Sequence, residues 1–247
     1  MKDSLGDRMK LYEGKETNRQ FLPLLPICAR IDGKCFHNFT KGLERPYDRG
    51  FLNLMDATTR YLVEETQASI GYTQSDEISL VWYTDKVESE IFFTGKVQKM
   101  VSVLASMATA FFNQNKGKFL PSKKDTLALF DCRIWQVPTL EEAVNTFIWR
   151  EQDSVRNSIS MLTRNYFSHK ECYKKSISDM HDMLYSKGFN WNDFPPRFKN
   201  GAYFQRYRTL IPFTREEIDK LPPKHEARTK PNLKIERWKI REITSSI

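Results

Sequence analysis

No stretch of the chain approaches the roughly 20 uninterrupted apolar residues that span a bilayer, so a membrane-spanning helix is excluded. The first 20 residues are polar and charged and lack the apolar core of a secretory leader, so a cytoplasmic protein with no membrane partner is expected. Cysteine is scarce. Cys28, Cys35, Cys132 and Cys172 are too far apart for a zinc knuckle or a Cys-x-x-Cys redox pair and read as reduced thiols. There is no internal repeat and no low-complexity tract. What remains is 40% hydrophobic and 13% aromatic over 247 residues, enough to bury a core without disulfides or structural metal.

Charge is unevenly placed. From Arg197 to Ile247 there are 13 Lys/Arg against 6 Asp/Glu, which accounts for +7 of the chain's net +8. Clustered cations gain affinity for nucleic acid by releasing its condensed counterions. Among these cations lie Tyr203, Phe204, Tyr207, Phe213 and Trp238, and stacking on aromatic rings is how unpaired RNA is held. A solvated tail would need no such aromatics.

Hydrophobic periodicity predicts the order of elements. The β-rich run Leu22 to Ile31 is interrupted by Pro23 and Pro26, so its ordered part is expected from Ile27. Helical spacing covers Arg49 to Thr66, and Ser69–Thr73 with Ile78–Tyr83 reads as a hairpin. A second amphipathic helix is expected over Gly95 to Asn115 and a strand over Thr126 to Ile134. This is β-α-β-β-α-β, an α+β ferredoxin-like arrangement in which the first and third strands are antiparallel neighbours. A long helix from Thr139 to Phe167 with Glu142 completing a capping box, a helix over Lys170 to Ser186, a loop over Trp191 to Lys199, a strand over Ala202 to Phe213 and a loop over Leu221 to Pro231 follow. The expected division is a catalytic palm with its N-terminal extension over 1–138 and a helical, basic part over 139–247 packed on it.

That topology places the end of the first strand, at Asp32, against the start of the third, at Asp76 and Glu77. Either turn alone is an ordinary polar turn. Brought together, they make a carboxylate cluster suited to Mg²⁺, a hard cation usually held by one or two carboxylates plus substrate phosphates. Phosphoryl transfer is driven by positioning and charge neutralisation, which metals and cations supply. A lone His37 beside an apolar run is more often a structural hydrogen-bonder, and Cys35 lacks a basic partner that would make it a thiolate.

The segments Arg30-Ile31-Asp32-Gly33-Lys34-Cys35-Phe36-His37, Arg45-Pro46, Tyr72-Thr73-Gln74-Ser75-Asp76-Glu77-Ile78-Ser79, Phe130-Asp131-Cys132-Arg133 and Trp149-Arg150-Glu151-Gln152-Asp153 carry a resemblance. The chain resembles the tRNA-His guanylyltransferase family, and more closely its Thg1-like branch of 3′-to-5′ tRNA-repair polymerases. The resemblance implies a polymerase-type palm, two Mg²⁺ ions, ATP and GTP or another nucleoside triphosphate as substrates, tRNA as partner and a homotetramer. It implies metal ligation by Asp32, Asp76 and the Gly33 carbonyl, with Glu77 supporting the catalytic pair. It further implies nucleotide contacts from Lys34, Cys35, Phe36, His37 and Ser75, and contacts to triphosphate or the RNA 5′ end from Arg45, Lys96, Lys99 and Asn157.

The implied reaction is ATP-dependent 5′-adenylylation of tRNA, followed by attack of the 3′-hydroxyl of an incoming nucleotide. The eukaryotic guanylyltransferases continue the Trp-Arg-x-x-Asp helix through His-Ile-Asn-Asn, whereas this chain reads Ser154-Val155-Arg156-Asn157-Ser158. Template-dependent 5′-end repair therefore fits better than addition of a single G at position −1 of tRNA-His. The rival readings are a nucleotidyl cyclase, which has no use for a basic aromatic tail, and a non-enzymatic RNA-binding module, which has no use for the acids.

Overall fold

In the computed structural model, which describes residues 4–230 and 232–243, a six-stranded antiparallel sheet carries helices on both faces. The outermost residues of the N-terminal extension and of the basic stretch, and Pro231, lie outside the described residues. In chain order the elements are α1 (Ser4–Thr17), β1 (Ile27–Gly33), α2 (Phe36–Phe39), α3 (Arg49–Thr66), β2 (Ile70–Gln74), β3 (Glu77–Trp82), α4 (Val97–Phe119) and β4 (Phe130–Gln136). Then come α5 (Leu140–Tyr166), α6 (His169–Cys172), α7 (Ile177–Ser186), α8 (Pro196–Asn200), β5 (Ala202–Pro212), α9 (Arg215–Lys220) and β6 (Lys234–Ile243). The sheet order is β4-β1-β3-β2-β5-β6, so the four strands of the ferredoxin-like unit hold the expected neighbours and the C-terminal strands extend the same sheet. No helix among the described residues is long and apolar enough to cross a membrane.

Alternation along β1 sorts its side chains onto two faces. Ile27, Ala29 and Ile31 pack with Leu54, Leu62, Met100, Leu104 and Phe112 of α3 and α4 in the larger core. Cys28 faces the other way, into a smaller cluster with Tyr72, Val81, Ala143, Phe147 and Tyr203 beneath α5. Both faces are therefore covered, and burying one Leu or Phe side chain contributes on the order of 2 kcal/mol. On the α5 face the same alternation leaves Arg30 and Asp32, which are the polar end of an otherwise apolar strand.

Several boundaries depart from the sequence expectation for visible reasons. β4 begins at Phe130 rather than Thr126, because the Asn113 side chain of α4 holds both the carbonyl and the amide of Ala128, at 2.7 and 3.1 Å. Thr139 caps α5 by accepting from the Glu142 amide at 3.2 Å, but the Glu142 carboxylate accepts from Asn145 at 3.1 Å, so half the capping box forms. The helix expected over Lys170 to Ser186 is two helices: Lys174 adopts a left-handed φ of 58°, and Ser176 with Asp179 builds a separate capping box for α7. The 191–199 loop holds a short 3-10 turn at Trp191–Asp193 and, from Pro196 at its first position, α8. Neither α1, which buries no residue, nor β6, whose charges mask its strand character, was legible from pattern.

Candidate active site

The acidic corner forms where β1 and β3 pair. Their antiparallel register sets Asp32 opposite Glu77, and the Gly33 amide donates to the Asp76 carbonyl at 3.1 Å, tying the two turns together. On its other side β1 pairs with β4 so that Asp32 also lies opposite Asp131. Three carboxylates, Asp131, Asp32 and Glu77, thus stand in one row across neighbouring strands. Asp131 was only part of a matching motif in the sequence; the strand register is the signal that gives it a place here.

The row is held by arginines. Arg133 lies 3.5 Å from Asp32 and 3.4 Å from Asp131. Glu77 is buried and is gripped in fork geometry by Arg150 of α5, Nε to Oε1 at 2.6 Å and a terminal nitrogen to Oε2 at 2.8 Å, with Arg30 at 3.8 Å. Burial opposes the charge of Arg150, yet the Glu77 carboxylate overrides it and holds the guanidinium charged. Glu77 therefore spends its oxygens anchoring α5 to the sheet. The next residue, Glu151, accepts from the Tyr203 hydroxyl at 2.8 Å and from Asn200 at 3.1 Å, so consecutive residues of the Trp149–Asp153 motif bolt the helix down. Loss of one member of such a buried pair costs about 3–5 kcal/mol.

Asp76 is different. It sits in the two-residue turn between Gln74 and Glu77, after Ser75 in the left-handed region at φ 48°, and the Ser75 hydroxyl donates to its carboxylate at 3.1 Å. Among the described residues it has no ion pair. Burial raises its pKa above the usual carboxylate range and repulsion from Asp32 adds to that, while His37 works the other way. A cation would remove both penalties. Among the described residues no three His, Cys, Asp or Glu side chains are arranged to hold a metal ion. An ion at this corner would take oxygens from Asp32 and Asp76, from the Gly33 carbonyl and from substrate phosphate, a donor set that fits Mg²⁺.

The turn after β1 is set by close packing. A Cβ on Gly33 would lie 2.4 Å from the Phe36 ring, which is itself enclosed by Phe39, Phe112 and Phe130 with centroids 5.0 to 5.7 Å away. The Phe36 side chain is thus core, 3% exposed at the edge of the cleft. Cys35 follows Gly33 and Lys34 at a left-handed φ of 57°, and His37 is exposed on α2.

From this corner opens a cleft of about 610 Å³, lined by Gly33, Cys35, Phe36 and His37, by Arg45, by Ser75 and Asp76, and by Asn157 of α5. Ser154, Ser158, Met161 and Arg164 continue the α5 wall, and Tyr47 stacks on Phe198 at 4.8 Å across the floor. Of the cleft's arginines, Arg197 is committed to Asp56 at 2.7 Å, whereas Arg45 and Arg164 enter no ion pair among the described residues. Arg164 was not singled out from sequence, although its position seven residues after Asn157 puts both on one face of α5. Lys34 is exposed beside the corner, its amide bonded to Leu129 at 2.8 Å. Lys96 and Lys99 are not brought here: they stand at the start of α4, where Lys96 pairs with Gln20 and Lys99 lies 5.7 Å over Phe93. That is the opposite end of the sheet, beyond Ile27.

A family model described as Thg1, tRNAHis guanylyltransferase, matches residues 6–138. A tRNA(His) guanylyltransferase of Schizosaccharomyces pombe is 31% identical over 220 residues, covering 83% of this chain and 82% of that one. A bacterial tRNA(His) guanylyltransferase (Thg1)-like protein solved in complex with ATP matches with a TM-score of 0.77 and 40% identity, over 82% of this chain and 88% of that one. Another bacterial protein of that description, in complex with GTP, matches at 0.71 and 33% identity over 96% and 91%. With a family model over more than half its length and such relatives along the rest, the chain belongs to the tRNA-His guanylyltransferase family of nucleotidyltransferases.

Proposed function

We propose that the protein repairs tRNA by adding nucleotides to the 5′ end in the 3′-to-5′ direction, each chosen by pairing with the opposite strand. A 5′-monophosphorylated end attacks the α-phosphate of ATP, giving a 5′-adenylylated end and pyrophosphate. The 3′-hydroxyl of an incoming nucleoside triphosphate then attacks the RNA 5′-phosphate and expels AMP. The new end carries a triphosphate. The observation that supports this most is the half-buried Asp76, which has no ion pair among the described residues, beside Asp32 at the mouth of a cleft that also offers Arg45.

In this reading Asp32, Asp76 and the Gly33 carbonyl hold two Mg²⁺ ions, which when bound supply positive charge against the phosphates. Ser75, Arg45 and Asn157 hold phosphate oxygens, while the backbone of Cys35 to His37, with Lys34 beside it, lines the nucleotide. Glu77 acts through Arg150 as a positioning residue. Residues 1–138 do the chemistry and 139–247 cover the palm and meet RNA. Lys96 and Lys99, at the far end of the sheet, reach phosphate only on another copy of the chain. Together with the exposed Leu140, Val144 and Ile148 along α5, that placement supports the homotetramer. The four thiols are unpaired, which suits a reducing cytoplasm.

Addition of one untemplated G to tRNA-His, the activity printed in the names of the relatives, is the second reading. Against it stands Val155, which departs from the His-Ile-Asn-Asn continuation that the resemblance to the eukaryotic guanylyltransferases implies. The test of the first step is incubation with ATP labelled at the α-phosphate and tRNA lacking its first nucleotide. Label transferred to the RNA 5′ end as AMP is expected; RNA that stays unlabelled overturns the proposal.

A further inference from the structure

Beyond Gln205, β5 leaves β2 and is paired with β6 alone, so 206–212 and 234–240 form a two-stranded ribbon, largely exposed on the face that carries Trp238 and half-buried on the other, where Glu217 of α9 pairs with Arg237. Alternation puts Arg206 and Arg208 on one face beside Trp238, and Tyr207 on the other beside Arg237, Lys239 and Arg241. Trp238 is 49% exposed, and the guanidinium carbons of Arg206 and Arg208 lie 4.2 and 4.6 Å from the centroid of its ring. Both arginines have further partners: Arg206 donates to the Gln67 carbonyl at 3.0 Å and Arg208 to Glu236, on the same face, at 3.2 Å. The ring is therefore held in place while half of the residue stays exposed to solvent.

Trp238 stands at the mouth of a second cleft of about 710 Å³, whose wall includes Trp82, Phe92 and the half-exposed Tyr83. Glu65, Asp85 and Glu90 line it together with Lys86, Arg206 and Arg208, so its charges balance, and the aromatic wall offers a flat ring a surface to stack on. The phosphates attached to such a ring are met outside the cleft. There Lys239 and Arg241 stand about 6.8 Å apart on the edge strand, with Arg241 5.3 Å over the Tyr207 ring, while Arg237 is paired with Glu217 of α9 at 2.5 Å. Over both strands, six Lys/Arg face two Glu. Cations on an edge strand also discourage pairing with another sheet, but that role needs no exposed tryptophan.

We propose that the ribbon docks an unpaired segment of RNA, with Trp238 stacking a base that enters the second cleft and the β6 cations following its phosphates. The inference rests on the RNA reading above and adds where, and in what form, the RNA is held away from the reacting 5′ end. A duplex cannot supply the base, because its rings are already stacked and paired.

The test is fluorescence anisotropy of the full chain with an oligoadenylate of about 12 nucleotides and with an RNA duplex of the same length. Trp238→Ala is expected to weaken binding of the single strand at least about fivefold, the loss of one base–aromatic stack, while Trp238→Phe recovers most of it. Unchanged binding by Trp238→Ala, or a duplex bound as tightly as the single strand, overturns the proposal. Should the Ala variant not fold, photo-crosslinking of the parent protein to 4-thiouridine RNA decides: adducts within 202–243 are expected, and adducts confined elsewhere overturn it. Adenylylation of a short 5′-phosphorylated hairpin by the parent is read separately. Its failure beside Trp238-dependent binding sinks the catalytic reading alone, and its success beside Trp238-independent binding sinks this inference alone.

Discussion

Asp76 and Glu77 are neighbours in sequence with opposite duties. Asp76 carries a partly desolvated charge with no ion pair among the described residues, so its raised folded pKa means that ionisation works against folding: stability is lost as pH rises from the ordinary carboxylate value through the raised one. Asp76→Asn in metal-free buffer is therefore expected to raise the urea midpoint near neutral pH, with the gain vanishing below the carboxylate range. Mg²⁺ should stabilise the parent and leave the variant unmoved; equal stabilisation of both would take the ion away from this corner. Glu77 instead is structural. Glu77→Ala and Arg150→Ala should each cost about 3–5 kcal/mol, and the double variant much less than their sum, because either alone strands a buried charge. Additive losses would show that the pair is not coupled. The thiols offer a third check. Burial pushes Cys28 up to about 11 and Cys132 up to about 12, whereas Cys35 is exposed in the cleft. Iodoacetamide near pH 8 should label Cys35 first, read by peptide mass spectrometry, and ATP should slow it if nucleotide lies against that segment. Labelling indifferent to ATP would place the nucleotide elsewhere.

At the scale of elements, the corner depends on β1 ending in a residue without a side chain. Gly33→Ala drives a methyl into a Phe36 ring that its aromatic neighbours hold in place, and a loss of about 1–3 kcal/mol in urea unfolding is expected. An unshifted midpoint would mean that the turn yields freely. Elements with strong periodicity were readable: α3 runs over Arg49–Thr66, as the spacing of Phe51, Leu54, Met55 and Leu62 requires, and β1 starts at Ile27, just past Pro26. The convergence of Asp32 with Asp76 and Glu77 was readable too, because it follows from topology rather than from either segment. What was not readable depended on partners distant in sequence. Nothing local says that Arg150 closes on Glu77, that Asn113 pulls Ala128 off the sheet, or that a charged C-terminal run becomes β6 by pairing with β5.

Over the whole molecule, the sheet joins two ends with different chemistry. At one end are the carboxylates and the cleft; at the other are Lys96, Lys99 and the cleft beneath Trp238, with the basic ribbon extending the sheet's edge. Under the proposed function, a substrate engaging both is a long polyanion with one reactive terminus, as an RNA extended at its 5′ end would be. The most direct measurement is to give the protein tRNA lacking its first nucleotides, with a 5′-monophosphate, ATP, Mg²⁺ and all four nucleoside triphosphates, and to sequence the products while varying the bases opposite the gap. Growth at the 5′ end that tracks the opposing base, and is abolished by Asp76→Asn, is the predicted result. Growth at the 3′ end, a G added whatever base stands opposite, or no growth at all would contradict it.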